Sequence, residues 1–534
     1  MIDSEHPAPM LLSRPGPSAL AILTSATLLA TPVHAQIFPG DDPVLEAIWS
    51  EGMENSQVYS LGQALLDSIG PRLTGTPNMQ AAHDWAAGMF ENWGLEARNE
   101  QYGTWLGWRR GISHVDLLEP RVRSLEGMLL GWSGGTPNGE PVEGEVIAMP
   151  EFTSEAEVEA WLPSVEGKFV AIAYAEPTCR PDAQWEEYAR PADFEEMAAE
   201  RTRERGEWTG ARFFVAPGNA GVQERLEAAG ALGLFESRWS NAPGTNKVFS
   251  AATRTIPTFD MSCEDYGLLF RLAANGQSPR VRVQADAEFL GDVPTFNTIA
   301  TIPGTELPDE YVLLSAHFDS WDGGSGATDN GTGTVTMMEA VRILKEVYPS
   351  PRRTILVGLW GGEEQGLNGS RAFAADHPEV VDGLQVLLNQ DNGTGRVQNI
   401  SMQGLIEAGA HFASWLAQIP SELSGDIDLN VPGAPGGGGS DYASFICAGA
   451  PAFSLSSLNW GYGTYTWHTN RDTFDKVVVP EVRGNATLTA MLAYLASEDP
   501  ERVSRERGGT MPLPRGGSVQ EWPTCGDCGR SFGI

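Results

Sequence analysis

The chain is short of positive charge, of cysteine and of long apolar runs. Lys and Arg together number 35 against 70 Asp and Glu, a formal net charge of -35. That balance excludes nucleic acid and anionic membrane surfaces as partners, because both would repel it. It suits a highly soluble exported or salt-tolerant protein. Five cysteines in 534 residues are too few for a disulfide scaffold. Cys525 and Cys528 form a lone CxxC near the C-terminus. In an oxidising compartment this pair is expected to close a small tail disulfide, ahead of a zinc knuckle or a redox site. The apolar run at 19–31 is too short to span a bilayer. With the small-residue stretch Val33-His34-Ala35 behind it, residues 1–35 read as a signal peptide cleaved after Ala35. The acidic opening through Glu5 is wrong for such a segment, and Met10 is the better start. No later stretch is long and apolar enough for stable membrane insertion. Secretion, or release to a periplasm, is expected.

What is present is organised. Residues 44–100 read as helical, interrupted by the turn-rich stretch Gly70-Pro71-Arg72-Leu73-Thr74-Gly75. Residues 101–130 read as strands. A linker-like Gly/Ser/Thr/Pro run near 131–137 changes the character of the chain. The segment 132–288 is expected to be a small β-rich inserted domain, with a charged, solvated helical stretch at 181–210. From 295 apolar strands alternate with helices: strands at 311–316, 354–359, 384–389 and 452–455, helices at 333–348, 369–375, 408–419 and 482–497. Continuous apolar strands between helices imply a sheet covered on both faces, an α/β fold of three layers. Such sheets bind ligands at the carboxyl ends of their strands. Residues 44–131 and 289–499 together make the main, discontinuous domain, and 500–534 a loose tail.

Six residues fall at those strand ends: His317, Asp329, Glu363, Glu364, Asp391 and His468. Singly each is more often structural. Asp329 in Asp-Asn-Gly is by default a turn or cap residue. Jointly they supply ligands for two zinc ions and an additional carboxylate to activate water. A carboxylate such as Asp329 can bridge two cations. Neighbouring Glu363 and Glu364 repel unless positive charge is near. With cations present, one Glu can ligate while the other takes a proton from water. Asp319 shares a strand face with His317 and is placed to orient its imidazole.

The stretches Ser315-Ala316-His317-Phe318-Asp319-Ser320, Gly326-Ala327-Thr328-Asp329-Asn330-Gly331, Gly362-Glu363-Glu364-Gln365-Gly366, Asn389-Gln390-Asp391, and His468 followed by Asp472-Thr473 carry a specific resemblance. The chain resembles the co-catalytic di-zinc exopeptidases of the aminopeptidase Y, carboxypeptidase Q and glutamate carboxypeptidase family. Its flavour is carboxypeptidase Q-like, judged from the position of the insert and from Gly436 to Asp441. Tyr442 departs from the pattern, since relatives often carry His there. The resemblance implies a three-layer αβα zinc-exopeptidase sheet, mostly parallel or mixed, with 132–288 as a protease-associated domain. It implies one zinc on Asp329, Glu364 and His468 and another on His317, Asp329 and Asp391. Glu363 is then the general base and Asp319 orients His317. A cis Asp329-Asn330 bond is also implied. The expected activity is hydrolysis of a terminal peptide bond, as an aminopeptidase or dipeptidase ahead of a carboxypeptidase. Its partner is a peptide substrate, and a homodimer is compatible with the insert. The alternatives are glutaminyl cyclisation or deacylation on the same scaffold, and a non-catalytic receptor-like binding module.

Overall fold

A computed structural model describes residues 38–216, 221–391, 393–508 and 521–531. The expected signal segment 1–35 lies outside the described residues. The architecture is mixed α/β, built on one large central sheet. Its middle is parallel: Leu307–His317 lies between Leu384–Asn389 and Arg353–Trp360, and Ala452–Ser457 follows beyond Leu384–Asn389. The reason is in the strands themselves. Val312, Leu313, Leu314, Ile355, Val357, Val386, Leu387 and Leu388 are all fully buried. Strands apolar on successive residues have no face to give to water, so both faces must be covered by helices.

The helices Thr332–Val347 and Val479–Glu498 do this on one side and pack on each other. Both are buried along most of their length rather than along one stripe. Lys345 sits in the last turn of the first, where the helix dipole favours a cation.

The sheet continues past Arg353–Trp360 through the long antiparallel strand Arg280–Ile302, which pairs over most of its length with Glu96–Glu119. Val142–Ala148 adds to the far end of that strand, followed by Phe169–Ala171, Gly233–Glu236 and Thr258–Met261. This half has apolar clusters of its own, around Phe169, Phe235, Phe259 and Tyr266 and around Val158, Val170, Trp208 and Leu226.

Three sequence expectations need correction. Residues 181–210 form the helices Asp182–Tyr188 and Pro191–Val215, but the second is not simply a solvated face. It buries Met197, Trp208, Ala211 and Val215, and Trp208 meets Phe270 edge-on with ring centroids 5.8 Å apart. The C-terminal segment is not loose where it is described. Trp522 Nε1 donates to the Ile446 carbonyl at 2.9 Å, Thr104 N donates to the Arg530 carbonyl at 2.8 Å, and Arg530 pairs with Asp376 at 2.7 Å. Finally, Cys525 does not pair with Cys528. It pairs with Cys447, 78 residues away, while Cys528 is a free thiol. A second disulfide joins Cys179 to Cys263.

Candidate metal centre

The six candidate side chains meet at the carboxyl ends of the central strands. His317 is the last residue of Leu307–His317, and its carbonyl is held by the Thr334 hydroxyl at 2.9 Å. The ring Nδ1 lies 3.0 Å from the carbonyl oxygen of Asp319 and 3.7 Å from that residue's carboxylate. Asp319 thus meets the imidazole most closely through its main chain. Its carboxylate accepts instead from the backbone N–H groups of Glu363 and Glu364, at 3.1 and 3.2 Å. One residue therefore ties the His317 strand end to the Glu-Glu turn. That turn needs Gly362, whose φ is +70° and where a Cβ would lie 2.5 Å from the Tyr102 hydroxyl.

Asp329 sits in the turn before Thr332–Val347. Its backbone N–H donates to Asp472 at 3.0 Å, and that of Thr328 to the other Asp472 oxygen at 2.7 Å. The Asp329-Asn330 bond is cis. Asn330 Nδ2 donates to the Gln390 carbonyl at 2.8 Å, and Gly333 N to Asn330 Oδ1 at 3.1 Å. A Cβ on Gly333 would lie 2.3 Å from Asn330 Oδ1, so this crossing of turn and helix requires glycine. Asp391 follows Leu384–Asn389, and Gln390 N donates to the Ser315 carbonyl at 3.0 Å. His468 sits in the left-handed region at φ +55°, stacked on Trp467 with centroids 3.9 Å apart.

Two triads result. His317 Nε2 is 3.2 Å from Asp391 Oδ1 and 3.3 Å from Asp329 Oδ1. His468 Nε2 is 3.2 Å from Asp329 Oδ2 and 2.9 Å from Glu364 Oε2. Within each triad the ligand-type atoms all lie within 4.8 Å of one another. Asp329 belongs to both, with one oxygen toward each imidazole. Glu363 belongs to neither.

The electrostatics call for added positive charge. Burial pushes Glu364 up to about 7, with Asp329 adding to the shift. Burial likewise raises Glu363 well above the carboxylate range, with Asp391, Asp441 and Glu364 adding to it against the opposing pull of His317. Asp472 is raised to about 7 by burial. Burial disfavours the His468 imidazolium, yet Asp329 and Glu364 outweigh it and lift the ring to about 9. Crowded carboxylates of this kind are costly without cations to pair them. Glu364 Oε1 and His468 Nδ1 are buried without a hydrogen-bond partner. Three carboxylates and two imidazoles, converging in two sets with one shared member, are a donor set that suits borderline divalent cations.

Sequence reasoning passed over several residues that shape the site. Asp472 appeared only as a motif companion of His468, without its grip on Asp329. Fully buried Arg72 donates to the carbonyls of Gly70, Phe318, Ser325 and Gly326, fastening its own loop to the turn that carries Asp329. Asp441, also fully buried, is raised to about 7 by burial and by Asp391 and Asp319. Ser440 beside it accepts from Asn389 at 2.8 Å, so this end of the glycine-rich stretch is a buried wall of the site.

Comparison with known proteins agrees with this geometry. Residues 297–493 match the family described as Peptidase family M28. The chain is 26% identical to mouse carboxypeptidase Q over 456 residues, which cover 85% of this chain and 88% of that protein. It is 25% identical to human carboxypeptidase Q over 460 residues, with the same coverage. Among solved structures, a peptidase M28 precursor from Shewanella amazonensis superposes with a TM-score of 0.62 at 23% identity, covering 86% of this chain and 97% of that one. BSAP, a zinc aminopeptidase from Bacillus subtilis, superposes with a TM-score of 0.54 at 18% identity, covering 84% and 96%. The fold is thus that of the solved M28 peptidases, and the chain is similar to peptidase family M28 over residues 297–493 and to carboxypeptidase Q over most of its length.

Proposed function

We propose that this protein is an exported, zinc-dependent exopeptidase that hydrolyses terminal peptide bonds, as an aminopeptidase or dipeptidase. The observation that carries the reading is Asp329 turning one carboxylate oxygen to His317 and the other to His468. On this reading His317, Asp329 and Asp391 hold one zinc ion, and Asp329, Glu364 and His468 the other. The bound ions supply Lewis-acid polarisation of the scissile carbonyl and ease deprotonation of water at neutral pH.

The chain's own residues do the rest. Glu363, outside both triads, takes the proton from the attacking water on its carboxylate and returns it to the leaving amine. No covalent enzyme intermediate is required. Asp319 positions Glu363 and Glu364 together through their backbone N–H groups. Asp472 does the same for Asp329. Segments 44–131 and 289–499 form the catalytic domain on this reading, with 132–288 as the inserted protease-associated domain.

The direct test has two arms. Activity on aminoacyl and dipeptide substrates is expected to vanish on chelation and return with zinc. Glu363→Gln is expected to keep its zinc and lose about 10²–10⁴-fold in kcat. A variant that retained both zinc and full rate would overturn the assignment of the base.

A further inference from the structure

Beside the metal centre the chain builds a cavity of about 580 Å³ between residues 173–249 and the loop that carries His468. In a chain of net charge -35 its charged lining runs the other way: Arg205, Arg212, Arg238 and Lys247 against Glu176 and Glu236. The two carboxylates are already taken. Glu236 lies 3.2 Å from Arg238 and 3.7 Å from Arg212, and Glu176 is held by Arg205 and by Arg201 at 3.0 Å.

Lys247 is different. It is only 8% exposed, and among the described residues no carboxylate comes within ion-pair distance of its ammonium. Nζ donates to the Trp467 carbonyl at 3.0 Å and stands 4.2 Å from the centre of the Trp467 ring. Asp329 and Asp260 act on this buried ammonium only from beyond ion-pair distance, and one hydrogen bond with a ring face does not replace a directly paired carboxylate.

The position of Lys247 ties it to the reaction centre. Val248 N donates to the His468 carbonyl at 2.7 Å, and the Phe249 ring, also in the cavity wall, meets the His468 ring at 5.0 Å. One extended residue spans about 3.5 Å. A carboxylate within a residue or two of the scissile bond is therefore in reach.

We infer that Lys247 is a specificity-determining residue that binds a carboxylate of the substrate peptide, so that short peptides with a free acid near the scissile bond are preferred. This rests on the peptidase reading above. The carboxylate is either the C-terminal one or an acidic side chain, and the substrates chosen for the test separate the two.

Wild type, Lys247→Gln and Lys247→Arg are compared on Leu-Ala, on Leu-Ala amide and on Leu-Glu amide. Gln keeps a donor for the Trp467 carbonyl while removing the charge, and Arg keeps the charge. Wild type is expected to favour Leu-Ala over Leu-Ala amide by about tenfold in kcat/KM, mainly through KM. Lys247→Gln collapses that ratio, and Lys247→Arg largely restores it. If Leu-Glu amide is cleaved as well as Leu-Ala and loses that advantage in Lys247→Gln, the side-chain carboxylate is the group bound.

The inference is overturned if wild type cleaves Leu-Ala, Leu-Ala amide and Leu-Glu amide alike, a result that needs no variant to fold. It is also overturned if Lys247→Gln lowers both rates in proportion, as a merely structural loss of the Trp467 contact would. In both cases the peptidase reading stands. If wild type, loaded with zinc, cleaves none of the three, both readings fall together.

Discussion

Asp472 holds Asp329 from behind: its two carboxylate oxygens accept from the backbone N–H groups of Thr328 and Asp329, at 2.7 and 3.0 Å. The shared member of both triads is therefore aimed by a residue that joins neither. Asp472→Ala is expected to weaken metal affinity about 10–100-fold, the usual effect of removing a partner that orients ligands. Competition against a chromogenic chelator measures this directly. Unchanged affinity would mean that the Asp329 turn holds its shape unaided.

His83 makes stability depend on pH. Its ring is buried between Phe296 and Phe318, with Nδ1 2.8 Å from the Thr298 hydroxyl. Burial lowers its pKa from 6.5 to about 3. The unfolded chain therefore takes up a proton below about pH 6.5 that the folded chain refuses until about pH 3. Stability from this residue is intact above pH 6.5 and falls as pH drops through that window. Between pH 7 and 5 the loss is about 2 kcal/mol. His83→Gln is expected to show a smaller fall in Tm between those two pH values than wild type. An equal fall would show that His83 is not what titrates.

The Cys447–Cys525 bridge fastens the C-terminal segment beside the helix Ala443–Ile446, which follows Asp441. Non-reducing peptide mapping is expected to recover Cys447 linked to Cys525, with Cys528 alkylated. Opening this loop with Cys447→Ser and Cys525→Ser together should cost about 2–4 kcal/mol of stability. Recovery of a Cys525–Cys528 link would contradict the arrangement.

The centre was legible in the sequence for a physical reason. Each apolar run such as Val312–Leu314 or Leu387–Leu388 must sit inside the sheet, so the polar residues that close it, His317 or Asp391, must emerge at its carboxyl edge. What stayed hidden depends on contacts between distant segments. Asp472 grips a backbone 143 residues earlier, and Arg72 a carbonyl 246 residues later. The Cys525–Cys528 spacing favours a local bridge, and nothing local marks Cys447 as a rival. In Pro191–Val215 the charged residues outnumber and mask the buried stripe of Met197, Trp208, Ala211 and Val215.

The central claim is that one carboxylate, Asp329, serves two cations at once. Zinc content per chain, measured after dialysis on wild type and on Asp329→Ala, tests it most directly. About two ions are expected for wild type, with both sites weakened together in the variant. A wild-type content of one ion, or a variant that gives up one ion and keeps the other at full affinity, would contradict the account.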